Sequence, residues 1–213
     1  DVGCGDGGFI SAFSESGTIS TGVEIKNFNW PQDSNVKYII GDIVKNSDLI
    51  KNKKFDIIIL RDVIEHIDNK YKYVFLNNIK GILNHNGIIL ITFPPYLSPF
   101  GLHQQVFCKS ILKYTPFLSL LPWIILKKVL LLFGEDENTI NEIKEINKSG
   151  MKINAFLNLV YRSNLTIHYK KYFLIRPSHQ LRYGLRVINS YFGGIPIIRE
   201  IFTTGTIFIL KKD

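Results

Sequence analysis

The sequence has few of the residues that hold small secreted or metal-bound domains together. Its 213 residues include two cysteines, Cys4 and Cys108, and a single methionine, Met151. Two thiols cannot build a disulfide framework or a four-thiolate zinc site. Because nothing in this composition needs oxidation to fold, we expect a reducing, cytoplasmic location.

A long uninterrupted apolar run is also missing. Residues 117–133 are strongly apolar, but Pro122 interrupts them, and Lys127 and Lys128 lie among them. A segment of this length with two internal lysines falls short of a membrane-spanning helix. We expect it to form an interfacial helix on an anionic membrane surface, a lid over an apolar substrate, or a helix that simply packs on the domain.

Positive charge is concentrated in the last third of the chain. Residues 1–150 carry 16 basic and 16 acidic side chains, whereas residues 151–213 carry ten basic and two acidic ones and so account for the net charge of +8. Such a surface can contact phosphate groups, lipid headgroups or nucleic acid, or it can be an ordinary solvated face. No helix-turn-helix, KH or RNP pattern accompanies it, so nucleic acid is not the partner that we favour.

Strand-like and helix-like stretches alternate along the first 94 residues, and the pattern resumes after residue 150. The continuous apolar runs at residues 55–60 and 87–93 are typical of strands buried on both faces. We therefore predict one α/β domain over residues 1–213: a Rossmann-like, seven-stranded, mostly parallel sheet flanked by helices, with residues 96–150 inserted after strand 5 as a lid-like helical segment. A first strand ends at Asp1-Val2, the other strands are expected at residues 19–25, 36–40, 55–60, 87–93, 165–175 and 203–210, and helices at 9–16, 71–83 and 153–162.

The most informative segment is the glycine turn that runs from Asp1 to Gly8. Glycines between a strand and a helix let the backbone adopt positive φ and approach a ligand closely. The N-terminus of the helix that follows offers unpaired N–H groups to polar or anionic atoms. Gly3, Gly5 and Gly8 also satisfy the G-x-G-x-x-G spacing of dinucleotide-binding proteins, so the turn alone leaves two cofactor classes open.

The residues around the turn favour one of these classes. Asp1 with Gly3, Gly5 and Gly7 gives an acidic-x-G-x-G-x-G pattern, which resembles motif I of the class I S-adenosylmethionine (SAM)-dependent methyltransferases of the small-molecule type. The acid Asp42, after the third expected strand, matches the position at which that family contacts the adenine amino group. The corresponding dehydrogenase motif lacks this acid.

The resemblance implies SAM as the cofactor and assigns contacts to it. The glycines would line its methionine end, Glu24 would take the ribose hydroxyls, and Asp42 with the backbone of Ile43 would take the adenine. The implied cofactor-binding residues are Asp1, Gly3, Gly5, Gly7, Glu24, Asp42, Ile43 and Asp62. Because the sequence opens inside this motif, we expect it to be an N-terminally truncated part of a longer protein.

Acidic and imidazole side chains follow the fourth and fifth expected strands. Asp62, Glu65 and His66 have D-x-x-E-H spacing, and His103 comes after the next strand. Because the carboxyl ends of parallel strands face one crevice, we expect these side chains to meet there. The set resembles the E-x-x-E-H and distant histidine of small-RNA 2′-O-methyltransferases and similar loops in quinone-biosynthesis O-methyltransferases, with Asp62 in place of the first glutamate.

Three interpretations of this cluster remain open at the level of sequence. Oxygen and imidazole donors there could hold Mg²⁺ or a similar divalent ion, but we do not favour a metal and assign it no ligand. We expect His103, Glu65 and His66 to be the catalytic residues, with His103 as a general base or a substrate contact. Purely structural roles are the third interpretation.

These patterns together predict SAM-dependent methyl transfer to a small-molecule acceptor. We expect an O-methyltransferase that acts on an amphiphilic, lipid-linked or saccharide-type acceptor and that is cytoplasmic, or peripheral to a membrane. The alternatives are an RNA 2′-O-methyltransferase with a metal-assisted site, and a non-catalytic fragment of the same fold.

Overall fold

The computed structural model describes residues 1–30, 35–46, 49–50 and 53–212. Its strands are β1 (Ser20–Glu24), β2 (Val36–Ile40), β3 (Phe55–Arg61), β4 (Leu83–Phe93), β5 (Leu165–Ile175), β6 (Ile188–Asn189) and β7 (Gly205–Lys212). Its α-helices are α1 (Gly8–Ser14), α2 (Lys72–Gly81), α3 (Gln104–Phe107), α4 (Trp123–Leu132), α5 (Glu137–Ser149), α6 (Ile153–Arg162), α7 (Pro177–Tyr183) and α8 (Pro196–Ile201).

The strands form a sheet in which a single residue near the start of the chain joins two ladders. β1 pairs with β2 in parallel, and the second ladder has the order β3-β4-β7-β5-β6. Val2 makes parallel bridges to Val23 in β1 and to Leu60 in β3, and so lies between the two ladders. β3 and β4 are parallel, whereas β7 is antiparallel to both β4 and β5. The predicted α/β fold is confirmed: the Val2 position and the six longer strands fill its seven strand positions, and β6 adds a short edge.

Helix α6 and strand β5 have the predicted bounds, but the approach to β4 differs from the prediction. The strand was predicted over residues 87–93, whereas β4 already begins at Leu83. Leu83 pairs with Phe55, and the next pair is Ile57 with Ile88, so β4 accommodates extra residues in an irregularity of the ladder. Residues 84–87 therefore lie in a bulge, which interrupts pairing without ending the strand.

The main hydrophobic core lies between the sheet and helices α2 and α6. Phe156 of α6 packs on Phe208 of β7 with ring centroids 4.6 Å apart, and on Phe93 of β4 at 5.0 Å. On α2, Leu76 and Ile79 are fully buried against the same cluster. This core fixes the carboxyl ends of β3 and β4, where the functional residues lie.

Residues 96–150 carry a second, smaller core of their own. Leu126 and Leu130 of α4 pack with Ile143 of α5 and with residues 102–118. Pro122 precedes the first residue of α4, so the proline that interrupts the apolar run becomes a helix start rather than a kink. None of the helices within the described ranges has the length and apolarity needed to cross a bilayer.

Candidate functional site

The glycine turn adopts the left-handed backbone that its sequence indicated. Gly3, Gly5 and Gly7 have φ values of 71°, 55° and 82°, a region that side chains disfavour. A Cβ at Gly3 would lie 2.6 Å from a methyl group of Val63, and one at Gly7 would lie 2.5 Å from the hydroxyl of Tyr38. These two positions thus need glycine both for conformation and for space, whereas the space beside Gly5 is open.

Side chains from β1 and the following loop hold this turn in place. The N–H of Gly5 donates to Oε2 of Glu24 at 3.0 Å, and the indole N–H of Trp30 donates to the carbonyl of Gly5 at 2.7 Å. Trp30 in turn stacks on Tyr38 with ring centroids 4.7 Å apart and nearly parallel planes. Glu24 also accepts the backbone N–H of Ile25 at 2.7 Å, so its carboxylate is oriented before any ligand arrives.

A cavity of about 270 Å³ opens at the carboxyl ends of β1 and β3. This volume approaches the lower end of the range of about 300–1,000 Å³ for small-molecule sites. The predicted cofactor-binding residues that line it are Gly3, Glu24, Asp42, Ile43 and Asp62, together with His66 from the predicted catalytic set. The other lining residues are Val2, Val23, Ile25, Gly41, Val44, Val63, Ile67 and Phe75.

Three of the predicted cofactor-binding residues do not line this cavity. Gly5 and Gly7 lie behind it and shape the turn. Both carboxylate oxygens of Asp1 are buried, and neither has a hydrogen-bond partner among the described residues. Asp42, in contrast, lines the cavity and accepts the N–H of Val44 at 2.9 Å through Oδ1, which orders the turn after β2.

Asp62 does not belong to the group of side chains that Glu65 forms with the two histidines. Its backbone has a φ of 53°, and its Oδ1 accepts the hydroxyl of Thr92 at 3.1 Å. Its Oδ2 accepts a guanidinium N–H of Arg176 at 3.0 Å. The carboxylate is therefore shared between the cofactor cavity and the basic last third of the chain, and it does not join Glu65 and the two histidines.

Glu65, His66 and His103 come together as the sequence predicted. Their ligand atoms all lie within 4.8 Å of one another. The rings of His66 and His103 meet edge to face with centroids 5.3 Å apart, and the ring of Phe107 stacks beside His103 at 6.4 Å. His103 has a φ of 56°, a conformation that costs a residue other than glycine or asparagine some strain and is typical of functional sites.

Burial sets the protonation of this cluster. Both oxygens of the buried Glu65 lack a hydrogen-bond partner in the part of the chain that the structure describes. Burial, and then the negative charge of Asp62, raises the pKa of Glu65 well above its usual value. Burial, and then the neighbouring His66, lowers the pKa of His103 to about 4. At neutral pH the imidazole of His103 is therefore uncharged, and burial favours the protonated form of Glu65 more than water would.

Arg176 is the functional residue that motif analysis missed. It is separated from Asp62 by 114 positions and belongs to no local pattern. The only signal in the sequence was the excess of basic residues after position 150. The sheet order creates this contact between distant residues. Strand β7 lies between β4 and β5, so the ends of β4 and β5 come to the same edge of the sheet.

A glycine turn beside the central strand position and a cavity at the carboxyl edge of the sheet define an α/β enzyme that binds a nucleotide-type cofactor. A family model described as a methyltransferase domain matches residues 1–107, just over half of the 213 residues. The chain therefore belongs to this methyltransferase family. The prediction of a class I SAM-dependent methyltransferase is confirmed, and with it SAM as the methyl donor.

Solved structures share the fold over the whole chain at low identity. A SAM-dependent methyltransferase from Archaeoglobus fulgidus is 16% identical, with a TM-score of 0.58, covering 100% of this chain and 84% of that one. One from Mesorhizobium loti is 13% identical, with a TM-score of 0.61 and coverage of 100% and 89%. Magnesium protoporphyrin IX methyltransferase from Synechocystis, which holds S-adenosylhomocysteine, is 13% identical, with a TM-score of 0.53 and coverage of 100% and 73%. None of the curated proteins matches the sequence significantly.

Proposed function

We propose that this methyltransferase transfers a methyl group to a hydroxyl oxygen of a small amphiphilic acceptor, lipid-linked or saccharide-type, with His103 as the general base. The observation that carries the proposal is the imidazole of His103, whose Nε2 is buried without a hydrogen-bond partner among the described residues. It lies against His66, which lines the cofactor cavity. A free ring nitrogen at this place can take the proton that an acceptor hydroxyl loses.

The residues around the cavity fit the cofactor that the family uses. Gly3 has no side chain to block the approach to the cavity, and the fixed carboxylate of Glu24 suits a pair of ribose hydroxyls. Asp42 and Ile43 line the end of the cavity beyond β2 and would hold the adenine. SAM, when bound, supplies an electrophilic methyl group on a sulfonium. The protein's part is to position the acceptor in line with that group and to remove its proton.

The lowered pKa of His103, about 4, keeps its imidazole uncharged at neutral pH. The imidazole is unprotonated before the acceptor binds, so its nitrogen is an acceptor and not a donor. As the acceptor oxygen takes the methyl group, the carbon–sulfur bond of the sulfonium would break to leave a neutral thioether, and the hydroxyl proton would move to Nε2 of His103. Burial raises the pKa of Glu65 and so disfavours a negative charge on this carboxyl group beside the reacting oxygen.

Helix α4 supports the amphiphilic part of the proposal. Ile124 is 72% exposed and Leu132 is 81% exposed, although a helix on a water-soluble surface normally turns such residues inward. Lys127 and Lys128, also exposed, provide the positive charge that favours anionic headgroups. We therefore propose that α4 rests on an anionic membrane surface and that residues 96–150 act as a lid for the acceptor.

Thermal unfolding with S-adenosylhomocysteine, and in parallel with NAD, tests the cofactor assignment. Ligand at about a hundred times its dissociation constant should stabilise the protein by about 2.7 kcal/mol, which raises the midpoint by roughly 5–11 °C in a domain of this size. A shift with NAD alone would overturn the assignment. Transfer of labelled methyl from SAM to a lipid extract and to RNA then identifies the acceptor class, and label in RNA alone would contradict the proposal.

A liposome flotation assay tests the membrane surface. The protein should float with vesicles that contain phosphatidylglycerol at low salt and not with phosphatidylcholine vesicles, since salt screens the attraction. A variant with Lys127→Gln and Lys128→Gln should float less, whereas Lys26→Gln with Lys45→Gln, which changes exposed lysines elsewhere, should float as well as the parent. Absence of flotation at low salt would remove this part of the proposal.

A metal-assisted version of the same reaction is the second candidate. It is favoured by the cluster of Glu65, His66 and His103, since one carboxylate and two imidazoles can hold a divalent ion. The structure weakens it, because Asp62 is engaged by Arg176 and is not a fourth donor. Methyl transfer that survives EDTA supports His103 as the base, whereas loss with EDTA and recovery with Mg²⁺ supports the metal.

A further inference from the structure

A smaller cavity of about 30 Å³ is lined by His103, which does not line the cofactor cavity. It is lined by the loop after β4, by α3, by α7 with the residue before it, and by Thr204. Its titratable lining residues are His103, Arg176, His179 and Arg182, and no aspartate or glutamate of the described chain lines it. A cavity that is lined only by cationic and uncharged groups favours the binding of an anion.

Polar groups at this cavity are left without partners. Nε2 of His103 is buried with no hydrogen-bond partner among the described residues, and so is Nε of Arg176. A buried guanidinium N–H without an acceptor is costly, and native structures rarely keep one unless a ligand or water completes it. Arg176 is oriented for such a ligand, because Asp62 already holds another N–H of the same guanidinium.

The positive charge of the cavity is not neutralised from within the described chain. The ion pair with Asp62 compensates Arg176, but none of the ion pairs among the described residues includes Arg182. Arg182 is exposed at the rim, where it can meet an incoming ligand. Both arginines are close enough to His179 to lower its pKa, in addition to the effect of its burial.

The size of the cavity limits what it can hold. A volume of about 30 Å³ has room for about two water-sized groups, which suits a carboxylate or a phosphate oxygen edge and not a whole substrate. A neighbouring cavity of about 240 Å³ shares Arg176 with it and Asp62 with the cofactor cavity, and can take the body of a larger molecule.

We infer that the cavity of Arg176, His179 and Arg182 is an oxyanion subsite that binds a carboxylate or phosphate group of the methyl acceptor. This inference rests on the proposed function, which makes the bound molecule the acceptor. The oxyanion accepts from the two guanidinium groups, and the acceptor is thereby fixed beside His103. The same chemistry fits a soluble hydroxy acid and a phosphate carried on a lipid.

Binding of inorganic phosphate, with acetate in parallel, tests the subsite in the protein saturated with S-adenosylhomocysteine. Phosphate should raise the unfolding midpoint above that in chloride of equal ionic strength, and Arg182→Gln should raise its dissociation constant about tenfold or more, since charged hydrogen bonds are lost. Arg182→Lys, which keeps the charge without the planar fork, should lie between the two. Arg186→Gln, at an exposed arginine outside this cavity, should behave as the parent.

The outcomes separate the two levels of the argument. A shift with S-adenosylhomocysteine but none with phosphate or acetate overturns the subsite alone, as does equal anion binding by Arg182→Gln and the parent. No shift with S-adenosylhomocysteine itself is a failure of the cofactor assignment. Vesicles that contain phosphatidic acid, compared with phosphatidylcholine vesicles, distinguish the source of the oxyanion. If phosphatidic acid vesicles compete with phosphate for the parent but not for Arg182→Gln, the oxyanion is carried on a lipid. If neither kind of vesicle competes, the oxyanion belongs to a soluble molecule.

Discussion

The two sides of the site are built in different ways. The cofactor side uses residues 1–75, in which each functional group follows a strand end by a few positions. The acceptor side joins His103 in the loop after β4 to Arg176 and Arg182 after β5. Residues 1–150 are neutral overall, whereas the last 63 residues carry the entire net charge. We therefore propose that the first side holds a polar cofactor through backbone groups and carboxylates, and that the second holds a ligand with a negative charge.

The residues of the two sides are held in position by different contacts. On the cofactor side the glycine turn, Trp30 and Glu24 fix one another through short hydrogen bonds. On the acceptor side the positions depend on β7, which lies between β4 and β5 and is antiparallel to both. If the two sides are independent, substitutions on one side should leave ligand binding on the other side unchanged.

The largest effect is expected at His103. Asparagine tolerates the left-handed backbone at this position, so His103→Asn removes the base without adding strain. Methyl transfer should fall by about 10²–10⁴-fold, the usual contribution of general base catalysis. The dissociation constant of S-adenosylhomocysteine, measured by calorimetry, should not change, because His103 does not line the cofactor cavity.

The matched control for this prediction is His85→Asn, which changes an exposed histidine of β4. Its turnover should equal that of the parent. Weakened cofactor binding in His103→Asn would show that the two sides are not independent, and unchanged turnover would remove His103 as the base.

A smaller effect is expected at Glu24, on the opposite side. Glu24→Ala should weaken binding of S-adenosylhomocysteine by about 1–3 kcal/mol, or roughly 5-fold to 150-fold, since charged hydrogen bonds are lost. Phosphate binding at the subsite should stay as it is. Calorimetry on Glu15→Ala, which truncates an exposed glutamate near α1, controls for the loss of charge. An unchanged dissociation constant in Glu24→Ala would contradict the assignment of this residue to the ribose.

The same division explains how far sequence analysis reached. The fold, the glycine turn, Glu24 and Asp42 follow from local patterns, because strand ends in a parallel sheet place neighbours in sequence at one edge. The meeting of Glu65 and His66 with His103 was predicted for the same reason. Arg176 was not predicted, because its contact with Asp62 exists only once β5 and β7 have paired. Strand β4 begins at Leu83 rather than at the predicted residue 87, because Leu83 pairs with Phe55 of β3 across a bulge that local sequence patterns did not indicate.

The ion pair of Asp62 and Arg176 is the link between the two sides, and a double-mutant cycle measures it. Asp62→Asn, Arg176→Gln and the double variant should give a coupling free energy of about 0.5–1 kcal/mol in denaturant unfolding, because the side chains are 38% and 18% exposed and water screens part of the attraction. The pair of Asp68 and Lys70, with side chains 58% and 65% exposed, should give a coupling near zero. Equal coupling free energies in the two pairs would mean that the ion pair of Asp62 and Arg176 stabilises the fold no more than an exposed surface pair does.

A pH-dependent effect on stability is expected from Glu65. Its pKa in the folded protein is raised above 4.5, so unfolding releases a proton at any pH between these two values. The stability contributed by the protonated carboxyl group is fully present below pH 4.5 and is lost as pH rises through the folded pKa. Glu65→Gln keeps a neutral group of similar shape and removes this dependence of stability on pH. The unfolding midpoint of the variant should therefore exceed that of the parent by a margin that grows from pH 4.5 to pH 8. Glu15→Gln, at an exposed carboxylate, should run parallel to the parent over the same range, and a parallel curve for Glu65→Gln would mean that Glu65 is ionised in the folded protein.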